Sequence, residues 1–299
     1  MPNEIFVSFD ETVLRLASCL SVHAQLRPNL SKLTSEDYVQ HLNGLHICGI
    51  IRKFESETTV LALAVYRTFL STFDTIRFEI DDIVVDEKER NHGLGTRLLN
   101  DLMKKAKECG ATKILVHCDP TNTDAHRFFF RLGLTIYVFE FSLRKNELLT
   151  SNDQIRIVDV TELSEKDNEH LLIQAHGIFR QLRPHLPDDE KTYVNQIRDI
   201  CRTGPARIIV AMNDEILGLA VYRVARNMKY AEHIYCDDLV TNENSRSSGV
   251  GRCLINYMKN EAKKLGIDQL TLDSGCQRGR AHKFYHREGF IINQYGFMM

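Results

Sequence analysis

Several absences narrow this sequence before any motif does. No run approaches the roughly 18 to 20 consecutive apolar residues that a membrane-spanning helix needs. Residues Met1 to Glu11 show no basic stretch followed by an apolar one, so no secretory signal is expected. There is no basic excess either. The 38 Lys and Arg stand against 40 Asp and Glu, a formal net charge of −2, which argues against nonspecific nucleic-acid binding. The eight cysteines, Cys19, Cys48, Cys109, Cys118, Cys201, Cys236, Cys253 and Cys276, form no CxxC pair. That weakens zinc and thioredoxin-like readings and leaves no metal expected. The cysteines read as reduced thiols in a cytosol-like compartment, with Cys236 and Cys276 as packing residues.

What is present is a globular composition. The 299 residues are 43% apolar and 26% charged, enough for two ordinary domains, each with its own core. An internal repeat sets the division. At an offset of 156, Gln25-Leu26-Arg27-Pro28 returns as Gln181-Leu182-Arg183-Pro184, and Leu63-Ala64-Val65-Tyr66-Arg67 returns as Leu219-Ala220-Val221-Tyr222-Arg223. Asp81-Asp82 returns as Asp237-Asp238. Arg90, Gly93 and Gly95 return as Arg246, Gly249 and Gly251, and Ala125, His126 and Phe128 as Ala281, His282 and Phe284. Residues 81–134 align with 237–290 without a gap, and 17 of 54 positions are identical. A single offset across separated blocks points to duplication, and the period is too long for a solenoid, so each copy should be a domain. The expected domains are 1–147 and 148–299, with the boundary in the polar stretch 144–153.

Patterning in the second copy gives the element order. Ile155 to Val158 alternates like a strand, and Leu171 to Leu182 has helical spacing. Ala206 to Met212 and Ile216 to Val224 form a hairpin about Asn213-Asp214. His233 to Thr241 is a further strand. Gly249 to Leu265 is an amphipathic helix stopped by Gly266. A strand at Gln269 to Asp273, a helix at Arg280 to Glu288 capped by Gly289, and a strand at Phe290 to Met298 complete the copy. The expected fold class is α/β, a mixed and mostly antiparallel sheet flanked by helices, built twice.

The segment Leu239-Val240-Thr241 through Arg246-Ser247-Ser248-Gly249-Val250-Gly251 reads as strand, turn and helix start. Small residues leave backbone N–H groups uncovered at the positive end of a helix dipole, a cradle suited to a pyrophosphate, and Arg246 adds charge. A dinucleotide-binding unit would need its glycines directly after the first strand, and a Walker loop would need Gly-Lys-Ser/Thr. Neither pattern is met.

The pattern [Q/R]xxGx[G/A] between a strand and a long helix is followed about 30 residues later by Ala281-His282-Lys283-Phe284-Tyr285-His286-Arg287-Glu288-Gly289-Phe290. The combination resembles the GNAT acetyltransferase superfamily, twice along the chain. The resemblance implies a splayed sheet, acetyl-CoA bound in the splay, and direct acetyl transfer to an amine of a small molecule or protein. It implies Tyr285 as general acid and Asp237 as base, with Asp238, Glu232 and His282 as alternatives. It also implies cofactor contacts from residues 239–241 and 246–251, together with Arg252 and Arg278. In the first copy the matching residues are Val84, Val85, Arg90, Asn91, His92, Gly93, Leu94, Gly95, Thr96 and Asn122, but Phe129 stands where Tyr285 does. A phenyl ring cannot donate a proton, so the first copy is expected to be degenerate. Acceptor loops are expected at 24–45 and 180–205, near Arg27, Arg183 and His185. The rival reading is a pair of non-catalytic acetyl-CoA-binding or interaction domains. The two-copy layout also resembles effectors injected by intracellular bacteria, which implies a cytoplasmic protein or one delivered into a host cell.

Overall fold

The computed structural model describes residues 3–143 and 154–299. The stretch expected to hold the boundary, 144–153, lies outside the described residues.

The first copy runs β1 (Asn3–Ser8), α1 (Glu11–Leu14), α2 (Ala17–Leu26), α3 (Ser35–His41), β2 (His46–Phe54), β3 (Glu57–Ser71) and β4 (Thr75–Val85). It continues with α4 (Leu94–Glu108), β5 (Ile114–Cys118), α5 (Thr123–Arg131) and β6 (Thr135–Leu143). The second runs β7 (Arg156–Asp159), α6 (Glu165–Leu182), α7 (Glu190–Thr203), β8 (Ala206–Met212), β9 (Ile216–Asn227) and β10 (Ala231–Thr241). It ends with α8 (Val250–Leu265), β11 (Leu270–Gly275), α9 (Gly279–Arg287) and β12 (Ile291–Met298).

The helices form where apolar spacing and caps agree. In α8 the buried Val250, Leu254, Ile255, Met258 and Ala262 make one stripe, and Gly266, at φ 70°, stops the helix. Helix α7 departs from the expectation of an acceptor loop over 180–205. Asp189 caps it through the Thr192 N–H at 2.8 Å, and Tyr193, Val194, Ile197 and Ile200 bury one face. Likewise α3 occupies part of the first expected loop, with Thr34 accepting from the Asp37 N–H. In both copies a capped, amphipathic turn closes over the sheet where polar residues suggested loop.

Both faces of the sheet are covered. Helices α4 and α5 pack on one face of the first copy and α2 and α3 on the other. In the second copy α8 and α9 cover one face and α6 and α7 the other.

The strands form one sheet in the order β1-β2-β3-β4-β5-β12-β6-β11-β10-β9-β8-β7. Each copy therefore lends its last strand to the other. Strand β12 lies against β5 of the first copy, β6 lies against β11 of the second, and β6 and β12 pair antiparallel at the centre. Gly296 sits at this seam because the strands approach closely there. A Cβ at that position would lie 2.3 Å from the Val138 side chain.

Two bulges shape the rest. The parallel pairing of β10 with β11 covers Ile234–Cys236, and that of β4 with β5 covers Phe78–Ile80. Just beyond, the register slips between Cys236 and Asp238 in one copy and between Val65 and Tyr66 in the other, leaving Asp237 and Asp81 as extra residues. Past the bulges β10 continues to Thr241 and β4 to Val85 without their parallel neighbours, so the sheet splays open in each copy.

Because the copies share one sheet, thermal unfolding should be a single cooperative transition. Gly296→Val should lower it for both copies together, by about 1–3 kcal/mol for an overpacked seam. Calorimetry showing two separate transitions, only one of them shifted, would contradict the shared sheet.

Candidate functional site

The cradle forms at the foot of the splay. After β10 the chain turns through Ser247 at φ 69° and Gly249 at φ 93°, and Gly249 caps α8 without any side-chain hydrogen bond. The first helix-type bond runs from the Cys253 N–H to the Gly249 carbonyl at 3.0 Å. The N–H groups of the turn before it have no partner within the helix and point out along its axis. Left-handed conformations at 247 and 249 flank Ser248 and turn successive N–H groups to one side, a nest for an anion. The first copy repeats the turn, with Asn91 at φ 66° and Gly93 at φ 81°. Arg246 is exposed beside its cradle.

Other residues of the motif hold the scaffold. Gly251 lets α8 meet α9, since a Cβ there would lie 2.9 Å from the Phe284 ring. Arg252 pairs bidentately with the buried Glu288, at 2.8 and 3.0 Å, tying α8 to the end of α9. Val240 packs into the core beneath α6 and α7, and Thr241 ends its strand opposite Gly218. Asn122 caps α5 by accepting the Ala125 N–H at 3.1 Å.

A cleft of about 130 Å³ opens where β10 and β11 part, and it is lined by Tyr285, Asp237, Asp238, Leu239 and Arg278 together. Tyr285, on α9, is 7% exposed, and burial raises its phenol well above the ordinary value. The phenol therefore keeps its proton at neutral pH.

Alternation along a strand places Asp237 and Asp238 on opposite faces, and the bulge overturns that expectation. Asp237 is the extra residue, so both carboxylates meet arginines from the α6–α7 side of the sheet. Asp238 has both oxygens occupied. Arg183, at the end of α6, donates to one at 2.6 and 2.7 Å, and the Thr72 hydroxyl donates to the other. Asp237 accepts from Arg223 Nε at 2.8 Å, and no further hydrogen bond reaches its carboxylate among the described residues. Burial, above all, raises its pKa despite Arg223. Glu232 is exposed at the start of β10 and does not line the cleft. His282 Nε2 donates to the Gly275 carbonyl at 3.0 Å, and the ring packs on Phe139 and Phe141.

Arg183 was marked from sequence only as lying near an acceptor loop, and Arg223 and Thr72 were not marked at all. A signal for the arginines existed, because both lie in repeated blocks. Arg27 binds Asp82 and Arg67 binds Asp81 in the first copy, as Arg183 binds Asp238 and Arg223 binds Asp237 in the second. Thr72 carries no such signal, since it reaches Asp238 from the other copy.

In the first copy Phe129 is 2% exposed and packs against Phe297 of β12. Asp81 accepts both contacts from Arg67 Nε at 3.0 Å, and burial pushes its pKa up to about 6.

Between the copies lies a buried ionic network. His117 on β5 faces Asp273 at 3.0 Å and Glu79 at 3.4 Å. Arg77 bridges the same two acids, and the Tyr235 hydroxyl donates to Asp273 at 3.0 Å. His117, Glu140 and Asp273 gather within 4.8 Å. Both His117 nitrogens already face carboxylates, so the group is an ion-pair cluster. Although burial opposes it, the two carboxylates raise the His117 pKa well above the ordinary value.

A model of the Acetyltransferase (GNAT) family matches residues 21–134 and 172–290, and the chain belongs to that family. It is an acyltransferase carrying two copies of the family's fold. Over 127 residues it is 32% identical to an uncharacterized N-acetyltransferase, YhdJ, of Bacillus subtilis strain 168, spanning 42% of this chain and 87% of that protein. The whole chain superposes on a tandem GNAT protein from the clavulanic acid biosynthesis pathway, with a TM-score of 0.62 and 10% identity over 99% of this chain and 98% of that one. It superposes equally on a GCN5-related N-acetyltransferase from Sphaerobacter thermophilus, with a TM-score of 0.62 and 12% identity over 99% and 95%. These two likenesses show the fold alone. Among the described residues no helix is long and apolar enough to cross a membrane.

The His117 cluster generates a pH prediction. A raised folded pKa means that the stabilisation is full below about pH 6.5 and is lost as pH rises through the folded value. Wild type should therefore lose up to about 1.4 kcal/mol per pH unit above pH 6.5 relative to His117→Asn. Urea unfolding at pH 6 to 9 reads this directly, and a stability difference that does not change with pH would show His117 to be uncharged.

Proposed function

We propose that this protein transfers an acetyl group from acetyl-CoA to an amine, with the chemistry in the second copy. One observation carries the reading. Asp237 and Tyr285 line a single cleft, and β10, which carries Asp237, runs on to Thr241 and the turn before an uncapped helix N-terminus whose N–H groups suit a pyrophosphate. Acetyl-CoA supplies the acetyl group as a thioester, and residues 247–251 are the part of the chain that fits its pyrophosphate. Arg246 adds positive charge beside the cradle, and Arg278 adds it in the cleft.

The chain's own groups divide the proton work. Asp237 has a carboxylate oxygen to spare and a raised pKa, which suits a base that must take a proton from an ammonium near neutral pH. Tyr285 holds a proton at its phenolic oxygen in the same cleft, available to a departing sulfur. Asp238 is the positioning partner, because its oxygens are committed to Arg183 and Thr72. The first copy keeps the cradle and its two arginine–aspartate pairs but presents Phe129 in place of a phenol, which supports binding without turnover there.

Tyr285→Phe should lower kcat roughly 10- to 1000-fold while the affinity for acetyl-CoA barely changes. Asp237→Asn should lower kcat and remove the acid limb of the pH–rate profile. Equal kcat in wild type and the Tyr285 variant would rule out the proton donor.

The cradles supply a matched pair of variants, since Gly93 and Gly249 have φ of 81° and 93° and a substitution at either incurs similar backbone strain. Gly249→Asp should abolish activity, and Gly93→Asp should leave most of it, in proteins whose melting curves show them folded. A folded Gly93 variant as inactive as the Gly249 variant would mean that the division of labour is wrong.

A further inference from the structure

We propose that the acceptor is a small primary amine with an apolar body, held against a wall that the first copy lends to the second copy's cleft. The inference rests on the reading of that cleft as the acetyl-transfer site.

The far end of the cleft is not built by the second copy's own elements. Leu115 on β5, Tyr137 and Val138 on β6, and Phe73 in the β3–β4 turn come from the first copy, and Met298 comes from β12, which is embedded beside β5. Leu115, Val138 and Met298 form a small buried apolar cluster with Phe73 against it, separate from the main cores. The rings of Phe73 and Tyr137 lie 6.2 Å apart. The turn is pinned in place. Thr72 donates to Asp238, its carbonyl meets His185 Nε2 at 2.8 Å, and the Leu70 carbonyl accepts from Arg223 at 3.2 Å. The Arg183 guanidinium, which holds Asp238, stacks 4.8 Å over Phe73.

This apolar wall belongs to one copy only. The strand pairings keep the offset of 156 through the seam, since His117 faces Gly296 as Asp273 faces Glu140. At that offset the positions of Phe73, Leu115, Tyr137, Val138 and Met298 are held by Lys229, Thr271, Asn293, Gln294 and Ser142. The same fold thus places apolar residues in the cleft beside Tyr285 and polar residues at the matching positions of the other copy. Packing a sheet centre does not require that difference, since the polar version also folds. A ligand that meets only one of the two walls does require it.

Size and charge narrow the ligand. An apolar cavity of 150 Å³ holds a benzene-sized molecule, so about 130 Å³ accommodates one small ring or a short alkyl chain. The pinned turn closes the end of the cleft against a polypeptide main chain. The carboxylates lining it, Asp237, Asp238 and Asp273, are already paired with the guanidiniums of Arg223, Arg183 and Arg77. No excess negative charge remains for a second ammonium, which disfavours a polyamine.

The test is a thiol-release assay with acetyl-CoA and phenethylamine, hexylamine, spermidine or a lysine-containing peptide, alongside calorimetric binding of each amine. Wild type should favour phenethylamine or hexylamine over spermidine and the peptide by at least tenfold in kcat/KM. Phe73→Ala and Phe73→Lys should each raise KM and Kd for the apolar amines about tenfold, while KM for acetyl-CoA stays within twofold. Phe73→Leu should restore most of the loss, which a folding defect would not allow. Preferred turnover of spermidine or the peptide, or an equal effect of the Phe73 variants on every amine, would overturn this proposal and leave acetyl transfer in the cleft standing. Acetyl-CoA binding without release with any amine would overturn both.

Discussion

The antiparallel pairing of β6 with β12 is the constraint on which the rest of this molecule depends. Once the last strand of each copy crosses to the other, neither copy owns a complete sheet. The parallel partners β5 and β11 are each backed by a foreign strand, so each splay is walled partly by the other half of the chain. The exchange also brings His117, Asp273, Glu79 and Arg77 together in the interior, where their charges offset one another. A buried cluster of this kind is a weak source of net stability but a strong penalty on misregistration, because any slip leaves a charge without its partner.

Within that frame both copies use one local device. A bulge inserts an aspartate into β4 or β10, the sheet opens beyond it, and two arginines from repeated blocks hold the aspartate and its neighbour. The scaffold of the site is thus conserved within the chain, while the groups that would act on a substrate have diverged. Tyr285 corresponds to Phe129, and the apolar residues of the second copy's cleft correspond to polar ones in the first. The first copy also contributes Phe73, Leu115, Tyr137 and Val138 to the cleft that Tyr285 lines in the second.

Much of this was legible in the sequence, for physical reasons. The offset of 156 survives because the residues that carry it are those the fold cannot exchange. They are the glycines at φ above 80°, the arginines that neutralise buried aspartates, and the phenylalanines against which Gly95 and Gly251 pack. Helix α8 and strand β8 were readable because periodicity and caps agreed there. Strand exchange was not readable, since β6 and β12 have the same pattern whichever sheet they join. The bulge was hidden as well. Alternation placed Asp237 and Asp238 on opposite faces, and a one-residue insertion leaves no mark in composition. Helix α7 was missed because 180–205 was read as an acceptor loop, although Asp189 supplies a cap within it. Thr72 and Phe73 could not be found at all, because their roles exist only across the seam.

The most direct test of the central claim is an experimental structure of the full chain with acetyl-CoA and a non-reactive phenethylamine analogue. The account predicts that the pyrophosphate lies on the backbone of residues 247–251, the thioester lies in the cleft between Asp237 and Tyr285, and the amine's ring rests against Phe73 and Tyr137. Acetyl-CoA found only at residues 91–95, or a thioester directed away from Tyr285 with the amine elsewhere, would contradict it.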